Sequence, residues 1–269
     1  MKALKSIMNQ KIKSKIVNEQ QEIEYYYYVP NKIKKVMVLV HGISRNGDEI
    51  IDEFSKLADT YGYLLIAPIF SKKFSTDYQR LGRKGKGPRS DYHLMAIFND
   101  CNNYLKINFK KFDMFGFSAG SQFAHRFAFA HPNLVNRVAL VAAGWYTLPT
   151  TDLAYPKGTR LNKQFTDISL DPNRYLRIKF KVFIGSKDNK RDLSLNKNPK
   201  IDMTQGRNRI SRAKNWVEFM RLKIEKNGIT NSIELEILPG VEHDFLDCVN
   251  NSQLTSKVIN WCNQETNHA

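Results

Sequence analysis

The stretch that decides the fold is M-F-G-F-S-A-G-S, residues 114–121. An apolar run stops there against a serine bracketed by Gly116, Ala119 and Gly120. Before it, K-F-D-M-F-G-F (111–117) has the apolar character of a buried strand. After it, residues 120–131 read as a helix that ends at Pro132. The spacing is G-x-S-x-G, with a strand before it and a helix after it. Such a tight turn brings backbone segments together, which is why small residues surround the serine. The stretch therefore predicts that Ser118 is displayed at the end of a strand.

Working outward, V-M-V-L-V-H (36–41), Y-L-L-I-A-P (63–68), V-A-L-V-A-A (138–143) and F-K-V-F-I-G (180–185) are further apolar runs. Runs without alternation fit strands covered on both faces. I-E-Y-Y-Y-Y-V-P (23–30) reads as an aromatic strand, and I-E-L-E-I-L-P (233–239) alternates in places like an edge. The segment before residue 23 is either a frayed helix or the first arm of a hairpin. Helical patterns cover 48–61, 90–107 (capped by Ser90 or Asp91), 120–131, 206–227 and 254–262. Apolar strands separated by helices predict an α/β fold with a mostly parallel central sheet and helices on both faces. No compositional break divides the chain, so a single domain over 1–269 is expected, with 1–20 as a flexible N-terminus. Residues 144–205 are too long for an ordinary connection and are expected to form an insertion over the active edge of the sheet.

In open α/β sheets the ligand sits beyond the C-terminal strand ends. The polar residues at those ends are His41, Ser118, Asp188 and His243. A serine hydroxyl is a poor nucleophile until a base takes its proton. His243, in V-E-H-D-F after the last strand, is the candidate base. His41 reads as structural, His93, His125 and His131 fall in or beside helices, and His268 lies in the terminus. Asp188, in G-S-K-D-N just past a strand, is the candidate acid that would fix the imidazole tautomer, with Asp192 as rival and Asp202 more distant. The chain order Ser, Asp, His is one of the three known for such triads. A developing oxyanion needs two N–H donors. Ala119 is one candidate, and Ile43, with Ser44 as its alternative, is the other.

Composition excludes several classes. Apolar residues make up 42 % of 269 residues and charged residues 25 %, as in ordinary globular chains. No apolar run approaches the roughly 20 residues of a membrane helix. The first seventeen residues are basic and carry no apolar core of a secretory signal, which favours the cytoplasm. Cys101, Cys248 and Cys262 form no CxxC pair, so neither a disulfide framework nor a zinc knuckle is expected. The net charge is +16, and residues 72–89 hold seven basic residues against one acid. No nucleic-acid-binding motif accompanies that charge, so a nucleic-acid partner is not expected.

The motifs H-G-I-S (41–44), G-F-S-A-G (116–120), G-S-K-D (185–188) and G-V-E-H-D-F (240–245) give the chain a family resemblance. It resembles the α/β-hydrolases, and among them the bacterial serine esterases similar to polyhydroxybutyrate depolymerase and feruloyl esterase. The resemblance covers roughly residues 30 to 265. It implies an α/β-hydrolase fold and cleavage of a carboxylic ester through an acyl-enzyme. Ser118 would be the nucleophile, His243 the base and Asp188 the orienting acid, with no metal or organic cofactor. Thioesterase, peptidase or acyltransferase chemistry would use the same triad. A non-catalytic hydrolase-fold protein and a basic nucleic-acid-binding protein are the competing classes. The chain departs from polymer-degrading members in showing no secretion signal, no low-complexity linker and no appended binding module. The expected substrate is therefore a small-molecule or oligomeric ester.

Four further residues are candidates for the substrate pocket. Trp145 and Tyr146, in A-G-W-Y-T-L-P, would either line an acyl pocket or pack in the core. Arg83 and Arg89, in the basic loop, would either attract an anionic substrate or face solvent. Arg207, Arg209 and Arg212 open a helix, where positive charge opposes the dipole, so they are expected to pair with acids or with a ligand.

Overall fold

Apolar runs without alternation build the centre of the molecule. The computed structural model describes residues 12–264 apart from 19–22, 84–86 and 164. Five parallel strands follow those runs: β3 (Lys35–Val40), β4 (Tyr63–Ile69), β5 (Phe112–Phe117), β6 (Val135–Val141) and β7 (Lys179–Gly185). Val38, Leu39, Leu65, Ile66, Phe115, Leu140 and Val182 are wholly buried. β1 (Ile12–Asn18), β2 (Ile23–Tyr28) and β8 (Ile233–Leu238) complete one eight-stranded sheet in the order β1-β2-β4-β3-β5-β6-β7-β8. Only the β1–β2 and β2–β4 pairs are antiparallel. The segment before residue 23 is thus a hairpin arm where it is described, and β8 is an edge. The expected flexible terminus falls largely on residues 1–11 and 19–20, outside the described residues, as does His268.

Register fixes the centre. Val38 of β3 pairs with Ile66 of β4 on one side and Met114 of β5 on the other. The helices are α1 (Gly47–Tyr61), α2 (Ser90–Tyr104), α3 (Ala119–Ala130), α4 (Pro172–Tyr175), α5 (Pro199–Gln205), α6 (Arg209–Lys226), α7 (Phe245–Ser252) and α8 (Leu254–Asn263). Aromatic contacts show that they cover both faces of the sheet. Phe112 of β5 meets Phe98 of α2 and Phe127 of α3, and Phe129 of α3 meets Trp216 of α6. Phe115 meets Phe54 of α1 and Phe245 of α7.

Three local expectations change. α2 has Arg89 at its cap position, without a side-chain cap bond. Ser90 instead donates to the Tyr78 carbonyl (3.0 Å), and buried Asp91 accepts from Arg89. α7, which the sequence pattern did not suggest, is capped by Asp244, which accepts from Asp247 N–H (2.8 Å). The region 144–205 is two segments, because β7 runs through it and pairs along β6. The second segment, between β7 and α6, reaches the C-terminal strand ends, where the candidate site lies.

Candidate active site

The turn after β5 holds Ser118 at φ 54° and ψ −112°. This is a strained backbone for a residue with a side chain, and such strain persists only where the surroundings impose it. Ser118 N–H donates to Val141 O (2.8 Å). The Ser121 hydroxyl accepts from Val141 N–H (2.7 Å) and donates to Gly116 O (2.5 Å). The glycines are required by close approach. A Cβ on Gly120 would stand 2.1 Å from Val40 O, and one on Gly116 would stand 2.5 Å from Gly120 C. Ser118 is therefore displayed at the strand end by a turn that β3 and β6 lock in place.

Ser118 Oγ lies 3.0 Å from His243 Nε2, and His243 Nδ1 lies 2.7 Å from Asp188 Oδ2. The imidazole stacks on Phe117, with ring centroids 5.4 Å apart. Its side chain is 19 % exposed and that of Asp188 is 1 % exposed. The three residues come from the turns after β5, β7 and β8, so the parallel sheet gathers them. Of the acids weighed, Asp188 meets the histidine. Asp192 and Asp202 instead meet arginines.

Arg209, which the sequence expects to pair with acids or with a ligand, pairs with acids, one of them the partner of His243. This arginine opens α6, and its side chain is 1 % exposed. Nη1 donates to Asp188 Oδ1 (3.2 Å) and Asp192 Oδ2 (3.0 Å), while Nη2 donates to Ser194 Oγ (2.6 Å). It pulls Asp192 well below the usual carboxylate range. The signal was present in an arginine at a helix start, where the dipole disfavours it. Its partners could not be read without the fold. Arg212 is likewise buried, on Gly144 O (2.5 Å), Asn196 O (2.8 Å) and Asp202 Oδ1 (2.7 Å).

A cleft of about 170 Å³ opens over Ser118 and His243. Gly42, Ile43, Ser44, Ser194, Asp244 and Phe245 are among the residues that line it. Ala119 is the first residue of α3, so its N–H has no partner within the helix. Both oxyanion candidates from the 41–45 loop, Ile43 and Ser44, lie at the cleft. His41 fastens this loop from behind. Its Nε2 accepts from Phe70 N–H (3.1 Å), and its Nδ1 faces Gly42 O (2.9 Å) as the donor. Burial lowers its pKa to about 4, so it stays neutral. Glu49 also lines the cleft, with one carboxylate oxygen held by Asn46 Nδ2 (2.8 Å).

The four pocket candidates lie elsewhere. The Tyr146 ring is wholly buried and stacks on Trp216, with centroids 4.7 Å apart. Trp145 is 4 % exposed and sits under the Arg126 and Arg80 guanidiniums. Neither lines the cleft over Ser118, because the chain after β6 turns them into the core. Arg83 is bound to Asp77, and Arg89 to Asp91 (2.6 Å) and Asp167 (2.7 Å). These acids hold both arginines as braces of the 72–89 loop, whose residues 84–86 lie outside the described residues. The three cysteines are buried and free. Among the described residues, no group of three or more His, Cys, Asp or Glu side chains is placed to hold a metal ion. No helix among them is long and apolar enough to cross a membrane.

No family model matches the chain. An uncharacterized protein of Mycobacterium tuberculosis is 32 % identical over 112 residues, which is 41 % of this chain and 30 % of that protein's length. The match therefore spans less than a third of that relative. Solved structures match far more of the fold. LpqC, a poly(3-hydroxybutyrate) depolymerase from Bordetella parapertussis, is 21 % identical with a TM-score of 0.74, over 96 % of this chain and 90 % of that one. Poly(aspartic acid) hydrolase-1 from Sphingomonas sp. KT-1 is 23 % identical with a TM-score of 0.73, over 88 % of this chain and 92 % of that one. A ferulic acid esterase is 12 % identical with a TM-score of 0.58, over 93 % and 96 %. With its elbow serine, its sheet order and these neighbours, the chain has the α/β-hydrolase fold and is similar in structure to poly(3-hydroxybutyrate) depolymerase and ferulic acid esterase.

Proposed function

We propose that this chain is a serine hydrolase that cleaves a carboxylic ester through an acyl-enzyme. The observation that carries the reading is the relay from Ser118 Oγ to His243 Nε2 (3.0 Å) and from His243 Nδ1 to Asp188 Oδ2 (2.7 Å). Both distances are within hydrogen-bond reach for proton transfer and tautomer control. Ser118 Oγ attacks the ester carbonyl as His243 Nε2 takes its proton. The oxyanion accepts hydrogen bonds from the N–H of Ala119 and of Ile43, with Ser44 as the alternative to Ile43. The tetrahedral adduct collapses, and the alcohol leaves with the proton from His243. Water then attacks the acyl carbon, again giving its proton to His243, and the acid is released. Asp188 stabilises the imidazolium throughout.

The narrow cleft favours a short acyl group. Its lining includes Glu49 and Asp244 and, among the described residues, no lysine or arginine. Arg83 and Arg89 are held by acids and do not line the cleft, so a neutral ester is the substrate this reading favours. The reading extends to the whole chain as one domain, since the buried core runs from Ile23 to Cys262.

Hydrolysis of p-nitrophenyl acetate, butyrate and octanoate by the wild-type chain and by Ser118→Ala tests the proposal. Turnover that favours the short esters and falls by about 10³-fold or more in the variant is expected. Equal hydrolysis by the two chains would reject it.

A further inference from the structure

The chain carries a net charge of +16, and few of its cations stand at the proposed active site: Lys187 and Lys190 line the pocket beside His243, where Lys190 is bound to Glu242. The cleft over Ser118 is lined by carboxylates, and the arginines of the basic loop are bound to acids. A large cavity lies at the opposite end of the sheet, where the parallel strands begin. It encloses about 800 Å³. Lys35 opens β3, Lys111 precedes β5, Arg137 lies in β6 and Lys179 opens β7. Arg174 and Arg177, in and after α4, also line it. Six cations from four stretches of chain thus line one concavity.

These cations divide into two layers. Arg137 and Lys35 hold the wall: Arg137 donates to the carbonyls of Trp261 and Gln264, and Lys35 Nζ donates to Asn263 Oδ1 (2.9 Å). Lys111, Arg174 and Arg177 are exposed at the rim, and Lys179 is half-buried. Asp113 is the one carboxylate among the described residues of the lining. It is 4 % exposed and takes a hydrogen bond from Tyr63 OH (2.9 Å). Burial raises its pKa to about 6, and its charge faces Lys35 and Arg137, the two cations that hold the wall. The side-chain amides of Asn133, Asn136 and Asn173 add neutral donors. No aromatic side chain among the described residues lines the cavity, so it offers no platform for stacking a base.

We propose that this cavity is an anion site for a compact oligophosphate, separate from the Ser118 site. Guanidiniums match phosphate oxygens in a two-pronged geometry, and lysines add point charge. Cations grouped on one concavity favour a compact ligand, whereas an extended nucleic acid would call for a track of cations with stacking groups. The volume lies within the range of small-molecule sites.

The test is titration calorimetry of the full chain with sodium tripolyphosphate at 50 and 300 mM NaCl. The same titration is made on Arg174→Gln/Arg177→Gln, whose exposed side chains leave the core untouched. The expected result is saturable binding that weakens about tenfold at the higher salt, as screened ionic contacts do. It should fall at least as much in the variant, which should unfold at the wild-type temperature. Equal binding by the two chains, or none by the wild type, would overturn the proposal. So would a single-stranded RNA that binds and is not displaced by tripolyphosphate, which would make the surface a nucleic-acid face. The outcome is independent of ester hydrolysis.

Discussion

Arg209 links the acid at position 188 to the rim of the cleft, because one guanidinium reaches Asp188, Asp192 and Ser194. Methionine there would fill the space but leave a buried carboxylate without its cation. Breaking one side of a buried ion pair costs about 3–5 kcal/mol. Arg209→Met should therefore lower the melting temperature by many degrees, and Arg209→Lys should recover part of it. An unchanged melting curve for Arg209→Met would remove Arg209 from the account. The acid itself is tested by rates. Asp188→Asn should reduce kcat by up to about 10⁴, through the wrong histidine tautomer. Asp192→Asn keeps the Asp188–His243 bond and should lose far less. A larger loss at 192 would reassign the acid. Ser118, His243 and Asp188 were legible in the sequence because each follows an apolar run, and strand ends are where parallel sheets gather polar groups. Arg209 and Ser194 were not legible, because their partners lie 15 to 21 positions away across a loop.

At the scale of elements, the turn between β5 and α3 depends on two glycines. A Cβ at 120 would collide with β3 backbone that cannot move without breaking sheet pairing. Gly120→Ala should destabilise the chain by more than about 4 kcal/mol, the range reserved for severe packing or backbone conflicts. Thermal unfolding checks this, and a near-native melting temperature would show that the turn has slack. The parallel strands were legible because a short, unbroken apolar run bounded by turn residues suits a strand buried on both faces. α7 and the start of α2 were less so. Asp244 caps α7 directly after the catalytic candidate His243, so a short polar stretch carries both tasks. Ser90 bonds a distant carbonyl in place of its own helix, a choice that only tertiary contact decides. The same holds for Tyr146, whose ring finds Trp216 of α6 and leaves the pocket to others.

For the whole molecule, buried titratable groups set the response to acid. His41 is lowered to about 4, and burial also lowers His93 and drives His125 well below its ordinary value. The unfolded chain binds protons at these histidines before the native chain does, so stability falls as the pH drops from about 6.5 toward 4. For His41 alone this is about 3 kcal/mol, at 1.36 kcal/mol per pH unit. Asp113, raised to about 6, acts in the opposite direction, because the native chain protonates it first between about 6 and 3.8. The melting temperature should be lower at pH 4.5 than at pH 7.5, and Asp113→Asn should steepen that loss. A variant with a shallower dependence would contradict the assignment. The central claim, that the chain as it folds activates Ser118, is tested most directly by a fluorophosphonate probe followed by peptide mapping, with Ser118→Ala as control. A single adduct on Ser118 in the wild-type chain and none in the variant is the expected result. A folded wild-type chain that stays unlabelled between pH 6 and 9, or an adduct on another serine, would contradict it.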